Sequence, residues 1–150
     1  MKYIYAILHS QKYRKKYAEF LQFAFPRIPF PEKFTEFEML YALGEELVNL
    51  HLMKIRQPTE TKYNIEGSNV VEFLKYKNQR LYINGDQFFA GIPKEVWNFY
   101  LGSYLVLEKW LKSRKNRKLS GSEIELFLQI IEIIKKTTDY MTRIDKLYIS

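Results

Sequence analysis

Few residues in this chain can do covalent chemistry. There are no cysteines, which removes thiolate nucleophiles, disulfides and thiolate zinc sites. The two histidines, His9 and His51, have no supporting cluster of ligands, and core or cap hydrogen bonding accounts for both. Glu60-Thr61-Lys62 has the acid-x-Lys spacing of a magnesium nuclease, but no acid precedes it closely and it falls in an irregular segment. Glu36 and Glu38, like Glu45 and Glu46, lie on helix surfaces, where solvation explains them. The six glycines are scattered and form no phosphate-cradling loop. We assign no catalytic residue and no metal site to this chain.

The chain is rich in positive charge instead. Lys and Arg number 24 against 17 Asp and Glu, a net charge of +7, which points to an acidic partner, most commonly nucleic acid. The densest run holds Lys109, Lys112, Arg114, Lys115, Arg117 and Lys118 with no acid among them. Each phosphate such residues neutralise adds salt-dependent affinity. Cations at a helix end also complement its dipole, which accounts for two of the six. A second cluster is Lys12, Arg14, Lys15 and Lys16, with Glu19 close by, and Arg27 follows it. The third is Lys75-Tyr76-Lys77-Asn78-Gln79-Arg80. Asn, Gln and Arg can bond purine edges bidentately, and a hairpin tip fits the major groove. A solvated turn is the plainer reading of these residues.

These groups must be positioned by one domain of 150 residues, long enough to bury a core. Its twelve Tyr and eleven Phe fit either a core or a surface that meets a polar partner. No apolar run approaches a membrane span, and no secretory leader is legible, so a cytoplasmic protein is expected. Lys2 to His9 reads as a short buried helix. Ser10 caps a second, whose stripe is Tyr13, Tyr17, Phe20, Leu21 and Ala24, ending at Phe25-Pro26. Thr35-x-x-Glu38 reads as a capping box opening a helix to about Met53. Strand character follows from Val70 to Tyr76, with a turn at Lys77–Arg80 and a hairpin at Asn84-Gly85, where both positions are expected at positive φ. Helical character returns after Pro93, is interrupted at Gly102 and resumes from a Ser103 cap. Ser120-x-x-Glu123 and Ser122-x-x-Glu125 offer two capping boxes for a last helix, with Ile124, Phe127, Ile131, Ile134, Thr138 and Met141 on one face. The expected fold is α+β, with helices packed around a small antiparallel β-meander.

The order of these pieces resembles the C-terminal region of type IIG and type ISP restriction-modification enzymes, which are adenine-specific DNA methyltransferases. The resemblance is carried by His9-Ser10, Tyr13-Arg14, Tyr17-Ala18-Glu19-Phe20-Leu21 and Phe25-Pro26-Arg27-Ile28-Pro29. It continues through Gly44-x-x-Leu47-Val48-x-Leu50-His51, Tyr82-Ile83-Asn84, Phe88-Phe89-x-Gly91-Ile92-Pro93 and Val96-Trp97-x-Phe99. Leu101-Gly102-Ser103-Tyr104, Leu107-Glu108-Lys109-Trp110-Leu111-Lys112-x-Arg114 and Leu119-Ser120 complete it. Gln11 stands where the family usually has Pro, and Ser103 where it has a second Gly.

The resemblance implies a target recognition domain that reads double-stranded DNA beside a separate methyltransferase domain or subunit. It implies no cofactor in this chain, and S-adenosylmethionine in the missing catalytic domain. The Asn/Asp-Pro-Pro-aromatic motif of that chemistry is absent here. The chain is then a fragment or a stand-alone piece of a larger protein. Phosphates would be held by the 109–118 run and the 12–16 cluster, bases by loops or the 75–80 turn. A protein-interaction module without DNA readout, an RNA binder and a small nuclease are the rival readings.

Overall fold

A computed structural model describes residues 1–64 and 66–148, with the Phe20 side chain outside the description. In chain order the elements are α1 (Lys2–His9), α2 (Gln11–Lys16), α3 (Ala18–Leu21), α4 (Phe34–His51), β1 (Lys62–Tyr63), β2 (Lys75–Lys77) and β3 (Arg80–Tyr82). They continue with β4 (Phe88–Ala90), α5 (Lys94–Trp97), β5 (Tyr100–Leu101), β6 (Tyr104–Leu105), α6 (Val106–Lys112) and α7 (Gly121–Leu147). The chain forms two compact units, one of Met1–Ile55 with Lys136–Ser150 and one of Arg56–Lys135.

The first unit is helical. α1 lies against α4 so closely that a Cβ on Gly44 would sit 1.9 Å from the Lys2 carbonyl oxygen. Ile7, Tyr13, Leu40, Leu47 and Ile144 are fully buried around that contact. Ser10 caps α2, its hydroxyl accepting from the Tyr13 N–H at 3.1 Å while donating to Asp145 at 2.6 Å. The second helix stops earlier than its periodicity suggests. Tyr17, at φ −115° and ψ 22°, divides it into α2 and α3, and Ala24 stands exposed beyond it. The Phe20 member of that stripe lies outside the described side chains.

Tyrosine hydroxyls hold the proline segment that follows. Tyr13 donates to the Arg27 carbonyl at 2.8 Å, and Tyr3 donates to that of Pro29. Thr35 does not cap α4. The helix starts at Phe34, which stacks on Phe37 at 6.1 Å, and Lys33 is an N-cap without a side-chain bond. His51 bonds the Tyr5 hydroxyl through Nδ1 and the Thr137 hydroxyl through Nε2, the latter at 2.8 Å.

The second unit carries the sheet, antiparallel in the order β1-β4-β3-β2. The turn with two positive-φ residues is Asn78-Gln79 (51° and 60°), joining β2 to β3. The expected pattern at Asn84-Gly85 is absent, because neither residue has positive φ. There the Asn84 Oδ1 accepts from the Asp86 and Gln87 N–H groups, and a wider loop closes by Ile83 N–H donating to the Gln87 carbonyl at 3.1 Å. The strand signal before β2 is also only partly realised. Val70 and Val71 make isolated bridges to Lys118 and Lys115, and the N–H groups of Glu72 and Phe73 share the Ile83 carbonyl.

α7 opens on the Ser120–Glu123 capping box, in which the Glu123 N–H donates to the Ser120 hydroxyl and the Ser120 N–H donates to the Glu123 carboxylate. Ser122 and Glu125 lie inside the helix. Phe127 meets Phe89 edge-on at 4.8 Å and Trp110 at 4.8 Å, so α6 and α7 cover one face of the sheet. Between α5 and α6 the chain makes a hairpin, β5–β6, with Gly102 at φ 64°. This replaces the helix expected to run past Tyr100.

Candidate nucleic-acid interface

Register sorts the sheet residues into rows, since alternate side chains point to opposite faces. Tyr76, Leu81, Phe89 and Tyr63 are aligned and turn toward the helices, with Leu81 and Phe89 fully buried. The rows on either side face the other way. One is Lys75, Tyr82 and Phe88, the other Lys77, Arg80, Ala90 and Lys62. Lys62, Lys75, Lys77 and Arg80 are all exposed, and neither row contains a carboxylate. Tyr82 and Phe88 pack together at 5.0 Å, and the Arg80 guanidinium lies 4.8 Å from the Phe88 ring centroid. This aromatic floor carries the Arg80 cation without neutralising it. A shallow groove lined by Phe73, Lys75, Lys77, Tyr82, Asn84 and Gly85 extends the face to one side.

The loops beside the face are held by a buried amide network. Gln87 is fully buried, and its Oε1 accepts from the Asn69 N–H at 2.8 Å and the Asn84 amide at 3.0 Å. Its Nε2 donates to the Asn64 carbonyl at 2.8 Å and the Asn69 Oδ1 at 2.7 Å. A Cβ on Gly67 would stand 2.6 Å from this side chain. Tyr63 donates to Asn69 at 2.8 Å, and burial pushes its hydroxyl up to about 12. On the helix side, Glu132 accepts from the Thr61 N–H and hydroxyl and from Lys135. Burial opposes its charge, but these donors outweigh it and hold the carboxyl below its ordinary range.

The 109–118 run has a different setting. Lys109 lies over the Tyr104 ring at 3.9 Å, and Lys112 pairs with Glu108 at 2.6 Å. Arg114 stacks on Trp110 at 3.6 Å and bonds Glu123 at 2.9 Å, and Arg117 grips the same carboxylate with both terminal nitrogens. Those bonds, Arg117 first, hold the Glu123 carboxyl far below its usual range. Lys115 and Lys118 are exposed and pair with no carboxylate among the described residues. Carboxylates thus answer Lys112, Arg114 and Arg117, while Lys115 and Lys118 stay open beside Val71 and Val70. In the first unit Lys12, Lys15 and Lys16 are exposed, with Lys16 over Tyr17 at 5.5 Å. Arg14 turns back onto the Leu8 carbonyl, and Arg27 is exposed beside the proline segment.

Of the cations marked in the sequence, the structure gathers Lys75, Lys77 and Arg80 on one open face. Lys62, Tyr82 and Phe88 join them and were missed. Lys62 is far off in sequence, and only the β1–β4 pairing brings it in. A cationic open sheet backed by two helices defines a small α+β binding module. The profile of the Type ISP C-terminal specificity domain matches residues 1–143, and the chain belongs to that family.

Solved structures share the fold. One is a nuclease-deletion mutant of the Type ISP restriction-modification enzyme LlaGI in complex with a DNA substrate mimic. It has a TM-score of 0.72 and 21% identity, covering 95% of this chain and 13% of that one. Another is the ATP-dependent Type ISP enzyme LlaBIII bound to DNA (TM-score 0.74, 22% identity, 100% and 11% covered). A third is the DrdV–DNA complex (TM-score 0.72, 25% identity, 99% and 18% covered). The chain thus spans less than a fifth of each of those chains. A search of curated proteins finds no match. Among the described residues no helix is long and apolar enough to cross a membrane, and no group of three or more His, Cys, Asp or Glu could hold a metal ion.

Proposed function

We propose that this chain is the target recognition domain of a restriction-modification protein and binds double-stranded DNA through the open face of its sheet. The observation that carries this reading is the pair of outward rows, with Lys62, Lys75, Lys77 and Arg80 and no acid. The similar structures are complexes with DNA or a DNA substrate mimic, which supports it. Four cations on phosphates give a log–log salt slope of about −3 to −4. Titrating a labelled duplex at two salt concentrations tests this, and an RNA duplex as competitor separates DNA from RNA. Binding that is absent at low salt, or indifferent to salt, overturns the proposal.

The chain performs no chemistry in this reading. Its partner is a methyltransferase domain or subunit that holds S-adenosylmethionine and takes the flipped adenine, and the setting is cytoplasmic. Phe23 and Phe25, 87% and 94% exposed beside the proline segment, support docking against the rest of such a protein. Incubation of the chain with magnesium and plasmid checks the absence of chemistry, and nicking by the purified chain would overturn it.

A further inference from the structure

We infer that Asn78 and Gln79, at the tip of the β2–β3 hairpin, are specificity determinants that read adenine edges in the major groove. This rests on the DNA reading above. A two-residue turn with both φ values positive strongly favours glycine at its second position, yet Gln79 occupies it at φ 60°. An ordinary side chain in that region costs about 1–2 kcal/mol. No side-chain bond to another described residue recovers that cost. Both carboxamides are exposed and bond to no other described residue. Strain retained at an exposed tip by a residue with free donors and acceptors suits a function outside the domain.

The backbone beneath the tip is fixed. The Gln79 carbonyl accepts from the N–H groups of Gly91 and Ile92, both at 3.0 Å. Tyr76 donates to the Ile92 carbonyl at 2.7 Å and stacks on Trp97 at 5.3 Å with 14° between the rings. The two amides thus project from a rigid two-stranded ribbon, which the major groove admits. A carboxamide oxygen accepts from adenine N6, and its N–H donates to N7. Lys77 and Arg80, the residues on either side of the tip, stand on the phosphate-binding face. The arrangement separates base reading at 78 and 79 from phosphate holding at 75, 77 and 80.

The test selects duplexes from a randomised library with the full 150-residue chain and with Asn78→Ala, Gln79→Ala, Gln79→Gly and Lys75→Ala. We expect the three tip variants to lose preference for adenine at one or two positions by roughly five- to a hundredfold. Their affinity for unselected DNA stays within about twofold, and Lys75→Ala weakens all sequences alike. Gln79→Gly melts no lower than the wild type, which shows that its lost preference is not unfolding. The same preferred sequences from the wild type and every tip variant overturn the inference, as does a wild type that binds without preference, while DNA binding itself stands. A wild type that binds no duplex at low salt removes the DNA reading and this inference together.

Discussion

Ser120 and Glu123 cap each other. The Ser120 hydroxyl accepts from the Glu123 N–H at 3.1 Å, and the Glu123 carboxylate accepts from the Ser120 N–H at 3.2 Å. The same carboxylate binds Arg114 and Arg117, so it closes the start of α7 and neutralises two cations of the 109–118 run at once. Glu123→Gln should lower the melting temperature by a few degrees, since a cap and two ion pairs are weakened. Duplex affinity should not fall, because two arginines are released. A parallel loss of stability and of affinity, measured by thermal melting and titration of the folded variant, would assign the 109–118 run to the DNA face instead.

Gly44 is where α1 and α4 touch. With the Lys2 carbonyl 1.9 Å from a built Cβ, Gly44→Ala must force the helices apart. A loss of about 3 kcal/mol or more in denaturant unfolding is expected, larger than helix propensity would return. A variant as stable as the wild type would contradict this packing.

His51 ties stability to pH. Burial first, and the neighbouring His9 second, lower it from the ordinary 6.5 to about 4. The unfolded chain therefore binds this proton more readily than the folded one. The stabilisation is complete above pH 6.5, is lost as pH falls toward 4, and does not change further below that. His9, also lowered by burial, adds to the effect. The chain should lose on the order of 1 kcal/mol per pH unit in this window, allowing for partial solvent access. Thermal melts across the window should show it, with a flatter profile for His51→Gln. Equal slopes in the two proteins would remove His51 as the cause.

Gln87 holds three segments through four hydrogen bonds. Gln87→Leu leaves the Asn69 N–H, the Asn64 carbonyl and the Asn84 amide without those partners. It should cost about 2–4 kcal/mol by denaturant unfolding, and amide exchange at Asn64, at 66–70 and at 84–87 should rise. Unchanged protection there would contradict the network's role.

Much of the scaffold was legible because local chemistry decides it. Ser10 and Ser120 cap helices, and the α7 face of Ile124, Phe127, Ile131 and Ile134 is buried as its spacing indicates. Asn84-Gly85 misled because the Asn84 side chain, not backbone handedness, organises that loop, whereas the strained turn fell at Asn78-Gln79, which has no glycine. The β5–β6 hairpin hid between two helical patterns: its strands are two residues each, two residues separate β5 from α5, and α6 follows β6 directly. The candidate face was half visible. Lys75, Lys77 and Arg80 alternate along two adjacent strands, but Lys62, Tyr82 and Phe88 enter through register, a long-range property. The 109–118 run is dense in composition, which cannot report that Glu108 and Glu123 pair with Lys112, Arg114 and Arg117.

The central claim is that the outward rows of the sheet hold DNA phosphates. The most direct measurement is the salt dependence of duplex binding by the wild type and by the triple variant Lys75→Ala/Lys77→Ala/Arg80→Ala, both folded by circular dichroism. The wild type should show a log–log slope of about −3 to −4, and the variant a slope smaller in magnitude by about 3, with affinity reduced at least about tenfold. Equal slopes and affinities for the two proteins would contradict the account.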